Sequence, residues 1–203
     1  MTLQEYITEH IIPRYKAFDK AHNLTHVTDV IERSMALASQ YDVNSDMVYT
    51  IAAYHDLGLC EGRERHHIVS GEIIADDAML QKWFTPEQIT TMREAVEDHR
   101  ASNHHAPRSI YGCIVAEADR LIDPDTTLRR TVQYGLKHLD TTDRQQHYER
   151  FCQHLQEKYA EGGYLRLWLP ESDNKKRLEE LRTIIANPEQ LRCKFDRIFD
   201  EEI

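Results

Sequence analysis

Apolar residues return along this chain at steps of three and four, and short polar stops separate the segments they mark. Val27, Val30, Ile31, Met35 and Leu37-Ala38 fall on one helical face. Met47, Val48, Ile51, Ala52 and Tyr54 repeat the pattern after Asn44-Ser45-Asp46, whose short polar side chains suit an N-cap. Ser70 to Trp83 reads as one helix. Thr85-Pro86-Glu87 supplies a cap, a proline at the first helical position and an acid in the first turn, so a helix is predicted through Ile89, Met92, Ala95 and Val96 to His99. Ile110, Ile114, Val115, Ala118, Leu121 and Ile122 predict another, stopped at Asp123-Pro124. Thr142 to Ala160 is a polar amphipathic helix ended by Gly162-Gly163. A last helical region from about Asp173 is broken at Asn187-Pro188. No alternating run bounded by hairpin turns stands out, and there is no internal repeat or low-complexity segment. The expectation is one all-α domain over residues 1–203, its C-terminal third mainly packing and lid, with a weakly marked boundary near residue 140.

Composition narrows the class without changing the fold. The chain has 203 residues, 40% hydrophobic and 30% charged, which is ordinary for a globular protein able to bury a core. With seven glycines and six prolines, little of it can be turn-rich sandwich or disordered linker. No run approaches the length of a membrane span, and the N-terminal stretch, interrupted by Glu5 and Glu9, lacks a signal peptide's continuous apolar segment. Cys60, Cys113, Cys152 and Cys193 are far apart, so neither a thiolate zinc cage nor a disulfide framework is suggested. A cytoplasmic protein is expected; its oligomeric state is left open, a homo-oligomer included. The net charge of −10 argues against a nucleic-acid duplex as partner, which needs a basic face. An acidic protein acting on phosphate esters must neutralise its substrate locally, with metal ions and a few placed arginines.

The candidate chemistry lies in twelve unevenly spread histidines. His22 and His26 are four apart, His55 is followed directly by Asp56, His66-His67 comes eleven and twelve residues later, His99 ends the helix after Pro86, and Asp119 sits in Glu117-Ala118-Asp119-Arg120-Leu121. Imidazole and carboxylate together suit divalent first-row metals. Adjacent residues on a helix diverge by about 100°, so His55 and Asp56 cannot grip one ion from a single helical face. They can approach one across a cleft corner if other helices supply further ligands. His104-His105, before Pro107, reads as a solvated pair; His22 reads as a neighbour of the site rather than a ligand.

The order His26, His55-Asp56, Asp119 resembles the HD-domain superfamily of metal-dependent phosphohydrolases. The matching context is Asn23-Leu24-Thr25-His26, then Ala52-Ala53-Tyr54-His55-Asp56-Leu57-Gly58, then Ala116-Glu117-Ala118-Asp119-Arg120-Leu121. The stretch from Gly162-Gly163-Tyr164 to Leu169-Pro170-Glu171-Ser172 is similar to that of small bacterial members of uncertain substrate. The resemblance implies a helical-bundle core over about residues 18–125, with a helical extension over about 140–203. It implies that His26, His55, Asp56 and Asp119 bind one divalent ion (Mn, Fe, Co, Ni, Zn or Mg). His67 and His99 would bind a second, with Asp56 bridging; His67 is preferred to His66 because His-x-x-Ser-Gly matches the family's helix start. The activity implied is hydrolysis of a nucleotide or other small phosphate ester, by a water activated at the metal. Asp56, Glu64 and His99 are the candidate catalytic residues. Arg63, Arg65, Arg100 and Arg120 are candidates to clamp phosphate, on sequence proximity to ligand positions. Two rivals stay open: an HD-fold di-iron oxygenase, and a non-catalytic metal- or nucleotide-binding regulatory module.

Overall fold

Short polar side chains set most of the helix starts by accepting from the exposed N–H groups of the first turn. Asn23 accepts from the His26 amide and opens α2 (Leu24–Ala38); Asn44 accepts from Asp46 and Met47 and opens α3 (Ser45–Tyr54). Thr85 forms a reciprocal capping box with Gln88 at the start of α5 (Pro86–Asp98). Ser109 caps α6 (Ile110–Asp119). Upstream of these lie α1 (Leu3–Tyr6), a π turn over Ile7–Ile11 and a 3₁₀ segment over Ile12–Ala17. A 3₁₀ turn over Leu57–Glu61 joins α3 to α4 (His66–Asp76). This computed structural model describes residues 1–18, 22–103 and 105–203, and no strand occurs among them. The all-α expectation holds.

The described residues gather into two compact units, one of residues 1–120 with 168–172, the other of residues 121–167 with 173–203. The division falls at Leu121, whereas the sequence suggests one domain with a weak boundary near residue 140. Each unit buries its own apolar residues. In the first these include Val27, Ile51, Tyr54, Ile74, Met92 and Val115; in the second, Leu128, Phe151, Leu155, Leu181, Phe195 and Ile198. The second unit begins with α7 (Pro124–His138), which the sequence reading misses by taking Asp123-Pro124 only as a stop. Asp123 accepts from the Thr126 amide, and Pro124 occupies the first helical position, so the pair that ends one helix opens the next. There follow α8 (Arg144–Lys158), α9 (Asn174–Ile185) and α10 (Pro188–Glu202).

The helix expected over Ser70–Trp83 divides at Asp77. Its carboxylate accepts from the Met79 amide at 3.0 Å, from Tyr6 Oη at 2.7 Å and from Tyr54 Oη at 2.5 Å. Two tyrosines from elsewhere in the first unit thus recruit a side chain that local periodicity assigns to a continuous helix, and a 3₁₀ turn, Ala78–Lys82, replaces the last part of that helix. Tyr6 belongs to an N-terminal run in which Leu3, Ile7, Ile11 and Tyr15 are all buried, at four-residue steps.

Gly58 explains why the His-Asp pair is followed by Leu-Gly. A Cβ there would lie 2.1 Å from the His66 carbonyl oxygen and 2.6 Å from the Ser70 backbone nitrogen, so only glycine lets the turn after Asp56 pack directly on the start of α4. The Gly58 amide donates to Ser70 Oγ at 2.8 Å. No helix among the described residues is long and apolar enough to cross a membrane.

Candidate metal centre

Six side chains of the first unit meet at helix ends. His26 lies in the first turn of α2, His55 follows the last residue of α3, Asp56 precedes the 3₁₀ turn, His66 opens α4, His99 follows α5 and Asp119 ends α6. Helix ends suit this task because side chains there can converge from different directions without crossing the packed helix flanks.

The Asp56 carboxylate lies between two groups. Its Oδ2 is 3.3 Å from His26 Nε2 and 3.3 Å from His55 Nε2. Asp119 Oδ1 closes that half, at 3.4 Å from His26 Nε2 and 3.8 Å from His55 Nε2. The other oxygen of Asp56, Oδ1, is 3.6 Å from His66 Nε2 and 3.5 Å from His99 Nε2. The imidazole nitrogens face each other within each half, His26 and His55 at 3.1 Å and His66 and His99 at 3.2 Å.

Three of the rings are oriented by the main chain. His55 Nδ1 lies 2.7 Å from the Ala52 carbonyl oxygen, His99 Nδ1 2.6 Å from that of Val96, and His66 Nδ1 2.8 Å from that of Arg63. A carbonyl accepts only, so in each ring Nδ1 carries hydrogen and Nε2 faces inward, where the neutral ring would present its lone pair. That is the usual way a protein presents histidine to a metal.

His55 and His99 form the buried floor, while Asp119 is the most open member, with a quarter of its side chain exposed. Burial works against a charge on His55, but the carboxylates of Asp56 and Asp119 outweigh it and raise its pKa to about 9. His66 moves the other way, to about 4, because of burial and the neighbouring His99.

Residues 23–122 match the family described as the HD domain. The chain contains an HD domain over these residues. A solved structure from an uncultured Thermotogales bacterium, described as a predicted HD superfamily hydrolase, has the same fold; it shares 22% identity with a TM-score of 0.52 over 77% of this chain and 94% of that one. No curated protein matches.

Within the HD domain, His26, His55, Asp56, Asp119 and His99 come together as the sequence suggests, but His66 stands where His67 is expected. The reason is helical phase. His66, Ser70 and Ile74 follow each other at four-residue steps, Ser70 and Ile74 are fully buried, and Ser70 meets Gly58 beside Asp56. His67, turned by about 100°, lines a separate cleft with Glu97, Asp98, Asn103 and Arg108. That stripe is legible in the sequence and outweighs the motif match.

The arginines separate as well. Arg63 is exposed, its Nη2 3.5 Å from His22 Nε2, and the His22 ring stands edge-on to His26. Arg100 donates through Nη1 to the Glu64 carbonyl oxygen at 2.6 Å, so Glu64 meets Arg100 through its backbone while its side chain is exposed. Arg65 is largely exposed, 4.0 Å from Glu72. Arg120 is buried and its guanidinium folds back to donate to the Ala116 carbonyl, a helix-ending contact unsuited to clamping phosphate. His105 is exposed as expected; its neighbour His104 lies outside the described residues.

Proposed function

We propose that the protein is a divalent-metal-dependent phosphohydrolase with two metal positions, acting on a nucleotide or another small phosphate ester. The observation that carries this reading is the pair His66 and His99. Both rings spend Nδ1 on a backbone carbonyl, so two Nε2 lone pairs face each other 3.2 Å apart beside a shared carboxylate. Such an arrangement repels itself unless a cation lies between, and a proton is poorly held where burial and His99 depress the His66 pKa to about 4. The donor set, imidazole nitrogen with carboxylate oxygen, fits a divalent first-row metal.

His26, His55, Asp119 and one oxygen of Asp56 would hold the first ion; His66, His99 and the other oxygen of Asp56 the second. Bound there, divalent ions supply charge neutralisation for the phosphate and acidify a water to make a nucleophile at neutral pH. The chain does the rest. His99 has both nitrogens committed, so its role is ligand rather than free acid or base. The centre opens on the side of Asp119, His26 and His66, each partly exposed. Arg63, held beside His22, is the arginine best placed to meet a phosphate oxygen, with Arg100 second. In an acidic chain such local positive charge is what admits an anionic substrate.

The test is elemental analysis of purified protein, with turnover of a panel of nucleotides and phosphate esters under Mn, Co, Ni and Mg. Chelation is expected to stop hydrolysis and one added metal to restore it. Turnover indifferent to chelation would overturn the reading. Four imidazoles with two carboxylates also suit iron, which favours a di-iron oxygenase as second reading; dioxygen consumption by anaerobically iron-loaded protein would select it.

The helical phase of α4 yields a paired prediction. His66→Ala is expected to lower the metal content from about two ions per chain toward about one, whereas His67→Ala leaves it unchanged. Equal metal loss in both variants would remove His66 from the ligand set.

A further inference from the structure

His55 and Asp56 converge on one centre although neighbouring helical residues diverge by about 100°. The chain achieves this by leaving the α-helix between them: His55 keeps helical angles (φ −53°, ψ −36°), while Asp56 has φ −110° and ψ 4°. A break of this kind unsettles buried backbone groups, which are costly when unpaired. Here the Ala52 carbonyl is engaged by the His55 ring. The Asp56 amide donates instead to Tyr15 Oη at 3.2 Å, and Tyr15 Oη donates to the Ala53 carbonyl oxygen at 3.0 Å.

One neutral phenol thus serves both sides of the break, with its proton on one and a lone pair for the other. Burial raises the Tyr15 pKa well above 10, so the phenol keeps that proton. Tyr15 is fully buried, ends the Leu3-Ile7-Ile11 stripe and packs edge-on against Phe18. It lies outside residues 23–122, in the N-terminal run.

We propose that Tyr15 is the positioning residue of the metal centre: its hydroxyl splints the break between His55 and Asp56 and so holds the shared carboxylate with one oxygen toward each pair of imidazoles. The inference rests on the two-ion reading above and names a group outside the matched domain as the determinant of bridge geometry.

The test compares wild type with Tyr15→Phe, which removes the oxygen alone, and with Ile11→Ala, which loosens the same apolar stripe and leaves the hydroxyl. Manganese affinity is read by titration, and the electron paramagnetic resonance of the loaded proteins reports whether two ions are coupled through a common bridge. Tyr15→Phe is expected to bind manganese about 10- to 100-fold more weakly, the size usual for loss of a ligand-orienting partner, and to lose the coupled signal. Ile11→Ala is expected to melt earlier yet retain affinity and signal. If Tyr15→Phe fails to fold, 3-fluorotyrosine incorporated at position 15, a poorer acceptor of the same shape, should shift the affinity in the same direction by less. Wild-type affinity and coupling in the variant that lacks the hydroxyl, or equal metal loss in Ile11→Ala, would overturn the role of Tyr15. A wild type that binds no manganese pair would overturn the two-ion reading itself.

Discussion

Asp56→Ala is expected to abolish both metal binding and hydrolysis, with turnover down at least about a thousandfold, more than loss of a single stabilising donor usually costs. The carboxylate is nearly buried and serves both halves, with one oxygen near His26 and His55 and the other near His66 and His99. Removing it takes a donor from each proposed metal position and a negative charge shared by four imidazoles. Asp56→Asn separates charge from shape, since the amide keeps the volume and one acceptor. It should retain the fold, by circular dichroism, and still lose most of the metal, by elemental analysis. Full metal content and turnover in both variants would disprove the centre.

Arg108→Met is expected to cost about 2 kcal/mol of stability, measured by urea unfolding at neutral pH. Breaking a buried ion pair usually costs more, about 3–5 kcal/mol, because the partner is left charged and desolvated. Asp98 is such a partner, with its side chain 1% exposed, and it receives the Arg108 amide at 2.7 Å and Nε at 3.1 Å. Arg108 itself is 40% exposed and the amide contact survives the substitution, so the lower figure applies. Arg108 also reaches Glu97 at 2.7 Å.

Burial would raise the Glu97 pKa, but hydrogen bonds from Arg108 and Arg93 outweigh it and hold the pKa below its ordinary 4.5. A carboxyl whose folded pKa is depressed stabilises the fold above its unfolded pKa and loses that contribution as pH falls through the folded value. Wild type should therefore lose stability below about pH 4.5, and Arg108→Met should lose less over the same interval. A variant as stable as wild type at neutral pH, or with an unchanged acid slope, would contradict this account. His99 directly follows Asp98 in the chain, so a secondary loss of metal at the second position is also expected.

Much of this molecule is legible from local pattern. Apolar periodicity and short polar caps locate α2, α3, α5 and α6 because those signals act within a few residues of where they are read, as Asn44 and Thr85 show. The resemblance to the HD-domain pattern brings His26, His55, Asp56, Asp119 and His99 into one candidate set. Even the choice of His66 over His67 is written in the His66-Ser70-Ile74 stripe, although a motif match points elsewhere.

Tertiary packing decided what depends on partners distant in sequence. Asp77 breaks a periodic helix because Tyr6 and Tyr54 reach its carboxylate from 71 and 23 residues away. Arg120 turns into the structure, and α7 belongs to a second compact unit, because burial and packing are properties of the assembled chain. Most of all, the sequence places His55 beside Asp56 but cannot make them converge. That follows from a helix break whose unpaired backbone groups are met by the Tyr15 hydroxyl, brought to them only when the N-terminal run packs against the core.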